Sequence, residues 1–374
     1  MKMSRVEVRL ATADEYAQGK QGTLRTFDYT KLTAITTCPV WGLSRYTHHK
    51  TTSQTSDDVA APLRAGKVLH ECFAAIRLWT LGYVQHEWEL YETEGVRLFG
   101  ADRFQALKDV AHQGIKQSDL NASLRNTAME CLATADYVED ADDRRRSYSN
   151  LEGSLLYYVQ RWDYARYPVW VPSANSACGT LEHGLQRGGR VSGIERPFAL
   201  HISCADGGFA PFLYTGRIDG IHYDPRTQQA IVMENKSATR LNDAWRLSFH
   251  TSPQVTGYTV AGSLLIEQPV QRACVIGLAL PLPRVLSEGL AIEMVDRHTE
   301  QVNLWMDWML NTVELHDKWQ DRPMQAPRHY QSCNRYFRPC PLVFLCASPA
   351  DEREAMWAGM RTDVWNPLHG DDNE

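Results

Sequence analysis

The stretch GRIDGIHYDPRTQQAIVMENK, Gly216 to Lys236, reads as two largely apolar strands joined by the turn DPRTQQ. Successive strand residues alternate faces, so Glu234 and Lys236 point the same way. A turn symmetric about Arg226 and Thr227 sets Asp219 opposite Glu234. Two carboxylates and an ammonium then share one small patch. Two carboxylates at a sheet end suit a hard divalent cation such as Mg²⁺, which could activate water and stabilise charge on a phosphoryl oxygen. The lysine could neutralise the transition state or orient the water. The plainer alternative is a surface salt bridge between Glu234 and Lys236, because a D…E-x-K pattern is common by chance.

The flanking sequence predicts the rest of a sheet. Val191 to Ile202 and Pro211 to Tyr223 read as strands before Gln229 to Ala238, with Gly207–Gly208 as the turn between the first two. A helix is predicted over Pro253 to Glu267, an apolar strand over Arg272 to Leu282, and an amphipathic helix over His298 to Trp319. Upstream, Ala61 to Leu81 places Leu63, Leu69, Phe73, Ile76 and Trp79 near helical spacing. Further helices are predicted over Phe104–Gln117, Leu120–Tyr137 and Ser154–Tyr167, with Glu139–Arg146 a solvated connection and Pro172–Arg190 a long loop. The expected fold is an α/β protein of order αβββαβ, a meander followed by a helical crossover to a fourth strand. That gives a mixed sheet flanked by helices.

The chain has 374 residues, a net charge of −6, 43 % apolar and 22 % charged residues. These values exclude a disordered or collagen-like chain. The N-terminus carries no apolar signal core, and the longest apolar run, Cys274 to Leu282, is too short to span a bilayer. A cytoplasmic protein without membrane association is expected. An acidic chain has no general attraction for nucleic acid, so such binding requires a local basic surface.

Other residues stand in order around the hairpin. GKVLH (Gly66 to His70) puts a histidine on the upstream helix, and QVTGY (Gln254 to Tyr258) puts Gln254 and Tyr258 on one face of the downstream helix. Each is commonplace alone. Near the C-terminus, CNRYFRPCPLVFLC spaces Cys333, Cys340 and Cys346 by gaps of six and five residues, and Cys38 stands far upstream before Pro39. Four thiolates suit Zn²⁺ or an iron–sulfur cluster; without a tight C-x₂₋₄-C pair the wide spacing favours the cluster. The remaining cysteines, Cys72, Cys131, Cys178, Cys204 and Cys274, read as buried apolar residues.

The order C-P, G-x-x-x-H, G-x-x-D, E-x-K, Q-x-x-x-Y and three closing cysteines resembles the iron–sulfur branch of the RecB-like PD-(D/E)XK nucleases. That branch includes the AddB nuclease domain, CRISPR-associated nucleases and phage exonucleases. The resemblance runs from Cys38 to Cys346. It implies a restriction-endonuclease-like core as one domain over 1–374, with a helical and loop insertion over 83–190 and a cluster-binding segment over 322–346. It implies Mg²⁺ or Mn²⁺ held by His70, Asp219, Glu234 and the Asn235 backbone carbonyl. Lys236 would be the catalytic lysine, and Gln254 and Tyr258 would support the site and touch DNA. Cys38, Cys333, Cys340 and Cys346 would ligate a [4Fe–4S] cluster. Glu195 resembles a glutamate often found on the first strand, with a plain exposed strand residue the alternative. His329 lies close enough to compete as a cluster ligand.

The expected activity is hydrolysis of DNA phosphodiester bonds. Arg322, Arg328, Arg335 and Arg338, interleaved with Tyr330, Tyr336 and Phe337, would meet phosphates and unpaired bases, or would simply surround an anionic cluster. A narrow path closed by the cluster would admit a strand by its end, which predicts a single-strand-preferring exonuclease. The alternatives are a DNA-trimming accessory working among recombination or CRISPR-complex proteins, and a non-catalytic, cluster-bearing DNA-binding module.

Overall fold

In the computed structural model, described residues are 6–51, 61–116, 119–161, 163, 166–172, 190–280, 289–335 and 338–368. The chain divides into two compact units. One comprises 59–198 with 217–298, the other 1–58 with 199–216 and 299–374.

The second-named unit draws on three separate pieces of chain. Its first piece holds β1 (Val6–Leu10), α1 (Ala13–Lys20), β2 (Thr26–Asp28), α2 (Tyr29–Thr37), α3 (Pro39–Tyr46) and β3 (Lys50–Thr51). Asp28 caps α2 by accepting the Lys31 backbone N–H at 2.7 Å. Helix α2 stops at Cys38 because Pro39 follows: a residue before proline is pushed to extended backbone, and Cys38 has φ −159° and ψ 109°. Pro39 then opens α3 at its first turn, where a missing N–H costs nothing. Gly42 lets the two helices meet closely, since a Cβ there would lie 2.4 Å from the Ile35 backbone nitrogen. Cys38 is thereby fixed at a tight corner.

The other unit begins with a helical group: α4 (Ala61–Tyr83), α5 (Trp88–Phe99), α6 (Ala101–Lys116), α7 (Leu120–Ala133) and α8 (Tyr148–Arg161). The expected helix from Ser154 to Tyr167 starts and ends six residues earlier, because Pro168 sets only an outer limit to a helix. The helix expected to reach Tyr137 ends at Ala133, and α5 was not anticipated at all. Leu69, Phe73, Ile76 and Trp79 are buried in one core with residues of α7, α8 and the sheet. Leu63 departs from that stripe and is 68 % exposed. Of the long loop expected over 172–190, residues 173–189 lie outside the described residues.

The sheet is mixed. Strand β4 (Ile194–Cys204) neighbours β5 (Phe212–Asp224), which runs antiparallel to β6 (Gln229–Ala238). The hairpin register runs from Asp224 opposite Gln229 to Gly220 opposite Met233, the symmetric register about Arg226 and Thr227. After α9 (Asp243–Leu247), α10 (Pro253–Ile266) crosses over, and β7 (Arg272–Ala279) lies parallel to β6. An antiparallel strand the sequence reading missed, β8 (Leu290–Asp296), completes this side. Helices α4 and α10 pack on β6, and α8 packs on β7 and β8. The protein is thus an α/β protein with a mixed sheet flanked by helices. No described helix is long and apolar enough to cross a membrane.

The three-segment unit continues with β1 antiparallel to the far end of β4, and β2 parallel to Leu213–Thr215 of β5. Then follow α11 (Thr299–Trp319), the ribbon of β9 (Asn334–Arg335) and β10 (Arg338–Pro339), α12 (Val343–Ala347), α13 (Ala350–Ala358) and β11 (Arg361–Thr362), which pairs with β3.

Candidate functional site

Helix α4 and strands β4, β5 and β6 bring an acidic group together inside one unit. His70 Nδ1 lies 3.2 Å from Asp219 Oδ1. Among the described residues, His70, Glu195 and Asp219 form the one group whose ligating atoms all lie within 4.8 Å of one another. Asp219 Oδ2 also accepts the Asn235 backbone N–H at 2.7 Å, which ties the middle of β5 to β6. Glu195 is therefore no exposed strand residue: its side chain is 12 % exposed and faces the group. Its φ of +46° is left-handed, a conformation that strains a side chain bearing a Cβ and that concentrates at functional sites.

Glu234 is buried, and it ion-pairs with Lys236. It stands outside the three-residue group but within reach of its charge. Lys236 Nζ also donates to Gln254 Oε1 at 3.1 Å, and Gln254 Nε2 donates to the Tyr258 hydroxyl at 2.9 Å. Tyr258 packs edge-on against Phe198. The lysine is thus held between a strand carboxylate and a helix amide.

The electrostatics are those of crowded, buried carboxylates. Burial pushes Glu195 and Glu234 up to about 7, with the Asp219 charge adding to the effect and Lys236 opposing it at Glu234. Burial also disfavours the charged forms of Asp219 and His70, yet their mutual attraction wins. It holds the Asp219 carboxyl below the usual range and raises His70 to about 9. A field that raises a half-buried histidine is one that draws in any cation. Glu195 Oε1 and Glu234 Oε2 are buried without hydrogen-bond partners. Buried oxygens of that kind are what a divalent cation satisfies, so His70, Glu195, Asp219 and Glu234 fit one.

Sequence reasoning passed over Arg77. It is buried, donates from Nη1 to the Asp219 carbonyl at 3.0 Å, and lies 3.8 Å from Glu195 Oε1. The signal was present: Arg77 follows His70 by two helical turns and interrupts an apolar run.

Cys38, Cys333, Cys340 and Cys346 line one small cavity with Trp41, Leu342 and Arg328 in the three-segment unit. No three of these sulfurs approach within 4.8 Å of one another. Burial raises the Cys340 and Cys346 thiols, and the neighbouring cysteines add to it. His329 does not line the cavity; its Nδ1 pairs with the Thr37 carbonyl at 2.9 Å. Cys72, Cys131 and Cys274 are buried as expected. Cys204 is not: it ends β4 half-exposed, and its thiol donates to Asp206 at 2.6 Å. Cys178 lies outside the described residues.

Of the basic segment, Arg328 donates to the Met324 carbonyl and Arg322 stacks on Trp319, while Tyr330 is 76 % exposed. Tyr336 and Phe337 lie outside the described residues.

No family model matches the chain, and no curated protein matches it. Among solved structures it shows a distant likeness to Rai1 of Scheffersomyces stipitis, solved in complex with (3′-NADP)+ and a calcium ion. The identity is 11 % and the TM-score 0.20, over 66 % of this chain and 60 % of that one. The chain thus spans about three-fifths of that protein's length, and at that score the likeness carries no weight for the site. Fold and site together define an α/β protein with a buried acidic–histidine group suited to a divalent cation.

Proposed function

We propose that this protein is a metal-dependent nuclease that hydrolyses DNA phosphodiester bonds, with a preference for single strands entered by an end. The observation that carries the reading is the convergence of His70, Glu195 and Asp219, with Glu234 and Lys236 beside them and buried Glu195 and Glu234 oxygens that make no hydrogen bond. A Mg²⁺ or Mn²⁺ ion held by these groups, with the Asn235 carbonyl as a further ligand, would supply a Lewis acid for the phosphoryl oxygens and a more acidic water. Lys236 brings its ammonium to the phosphoryl group as negative charge gathers there. Gln254 and Tyr258 position that lysine. Arg77, bonded to the Asp219 carbonyl, holds β5 in place at that residue.

The four cysteines carry a [4Fe–4S] cluster in this reading, supported by the one cavity that they line together. Its role is structural, tying residues near both ends of the chain into one unit.

The test is digestion of end-labelled linear single strands, blunt duplex and covalently closed single-stranded circles with Mn²⁺. Linear single strands should be cut fastest, and Asp219→Ala or Lys236→Ala should abolish cleavage in a folded protein. Parent-like cleavage by either variant refutes the site. Closed circles cut as fast as linear strands refute the need for an end.

A further inference from the structure

Beside His70 a cavity of about 380 Å³ opens along α4. That is room for a small organic ligand, roughly 300 Å³ or more. Lys67 precedes His70 by three residues and Leu63 precedes it by seven, so the three share one face of the helix. Arg146 and Lys236 contribute to the lining, and among the described residues that line the cavity there is no Asp or Glu. A net-acidic chain therefore presents a purely cationic border next to its acidic group.

Two of the three cations are not needed by that group. Lys236 is committed to Glu234 and Gln254. Lys67 is exposed and makes no hydrogen bond or ion pair with another described residue. Arg146 pairs with Asp143, but a guanidinium has five donors and can hold a second acceptor. Leu63, 68 % exposed after Pro62, sets an apolar lip on the same cavity, where a large apolar side chain gains nothing from water. A polyanion with an apolar body between its charges matches this surface.

We propose that Lys67 and Arg146 form a second phosphate subsite, which takes the phosphodiester next to the scissile one in an unpaired nucleic-acid strand. Leu63 and Pro62 pack on the sugar and base between the two phosphates. The subsite rests on the nuclease reading above and adds to it the two residues that grip the strand. Paired bases could not lay a sugar and base face against the lip, so the same contacts select unpaired strands.

The experiment compares the parent with Lys67→Ala, Lys67→Arg, Arg146→Ala, Arg146→Lys and the double alanine variant. Binding of a fluorescent oligothymidylate, measured by anisotropy without divalent metal, is followed against salt. Each lost phosphate contact should lower the slope of log Kd against log salt by about 0.7, and the charge-keeping variants should restore it. With Mn²⁺, the double variant should raise KM for the oligonucleotide roughly tenfold, more than it changes kcat. Hydrolysis of the p-nitrophenyl ester of thymidine 5′-monophosphate, which carries a single phosphate, should suffer far less. Lys67 is exposed, so its variants test the proposal even where an Arg146 variant folds poorly. An unchanged slope in Lys67→Ala, with the parent active, overturns the subsite and leaves the nuclease reading standing. Equal losses on ester and oligonucleotide would place Lys67 and Arg146 on the scissile phosphate and overturn it too. A parent that neither binds nor cuts the oligonucleotide refutes the nuclease reading, and the subsite falls with it.

Discussion

His222 on β5 is buried, and its Nδ1–H donates to the Tyr167 carbonyl at 2.8 Å. Burial and the nearby Arg77 charge push its pKa from 6.5 down to about 3. The unfolded chain therefore takes up a proton near pH 6.5, while the folded protein refuses it until about pH 3. Between those values the unfolded state binds more protons, so the contribution of His222 to stability is complete above pH 6.5 and is lost as pH falls. Each pH unit is worth ~1.4 kcal/mol, so acidification to about pH 5 should cost about 2 kcal/mol at this residue. Glu195 and Glu234, raised by burial, act in the opposite direction: the folded state takes their protons first, which favours folding as pH falls below about 7. The decisive quantity is thus a difference of differences. His222→Asn keeps a donor for the Tyr167 carbonyl but cannot titrate. Urea unfolding of parent and variant, followed by tryptophan fluorescence at about pH 7.5 and pH 5, should show the parent losing about 2 kcal/mol more than the variant. Equal losses would mean that His222 is protonated, or solvated, in the folded protein.

Further outcomes follow from helix packing and from the cysteine set. Gly42→Ala must displace the Ile35 backbone and should cost about 1–3 kcal/mol, read as a lower thermal midpoint; Gly153→Ala on α8, with open space around it, should raise stability by up to about 1 kcal/mol. Protein purified without oxygen should be brown with iron and sulfide in equal amounts, and Cys340→Ser should lose both colour and solubility. Zinc without iron or sulfide in such preparations would overturn the cluster.

The hairpin was legible because both of its strands are largely apolar and the turn between them is polar. Once its register was set, Asp219 and Glu234 followed. β7 was legible as an apolar run, and the crossover helix as a predominantly apolar stretch opened by Pro253. By contrast, β1 is five residues long and carries Glu7 and Arg9, and β8 carries Glu293 at its centre; edge strands keep charges that blur alternation. Glu195 could not be placed from alternation, since a left-handed residue inside a strand turns its side chain out of phase. Leu63 misled for a related reason: helical spacing marks a face, and only the surroundings decide whether that face meets a core or a cavity. The cysteines were legible as a set through their spacing, but the corner at Cys38 depends on Gly42, whose role appears only where two backbones meet.

The two units differ in how early the ribosome can supply them. Residues 59–298 contain every strand and helix of one unit, whereas the other waits for 299–374. At about 5–20 residues per second, the stretch from Cys38 to Cys333 takes roughly 15–60 seconds to synthesise. During that interval α2, Cys38 and α3 have been made and their partners in α11 and the cysteine segment have not. The acidic group can thus be assembled on a nascent chain whose first forty residues still await their core. A chain truncated before Cys333 would keep the complete acidic group and leave Cys38 without the three cysteines that share its cavity.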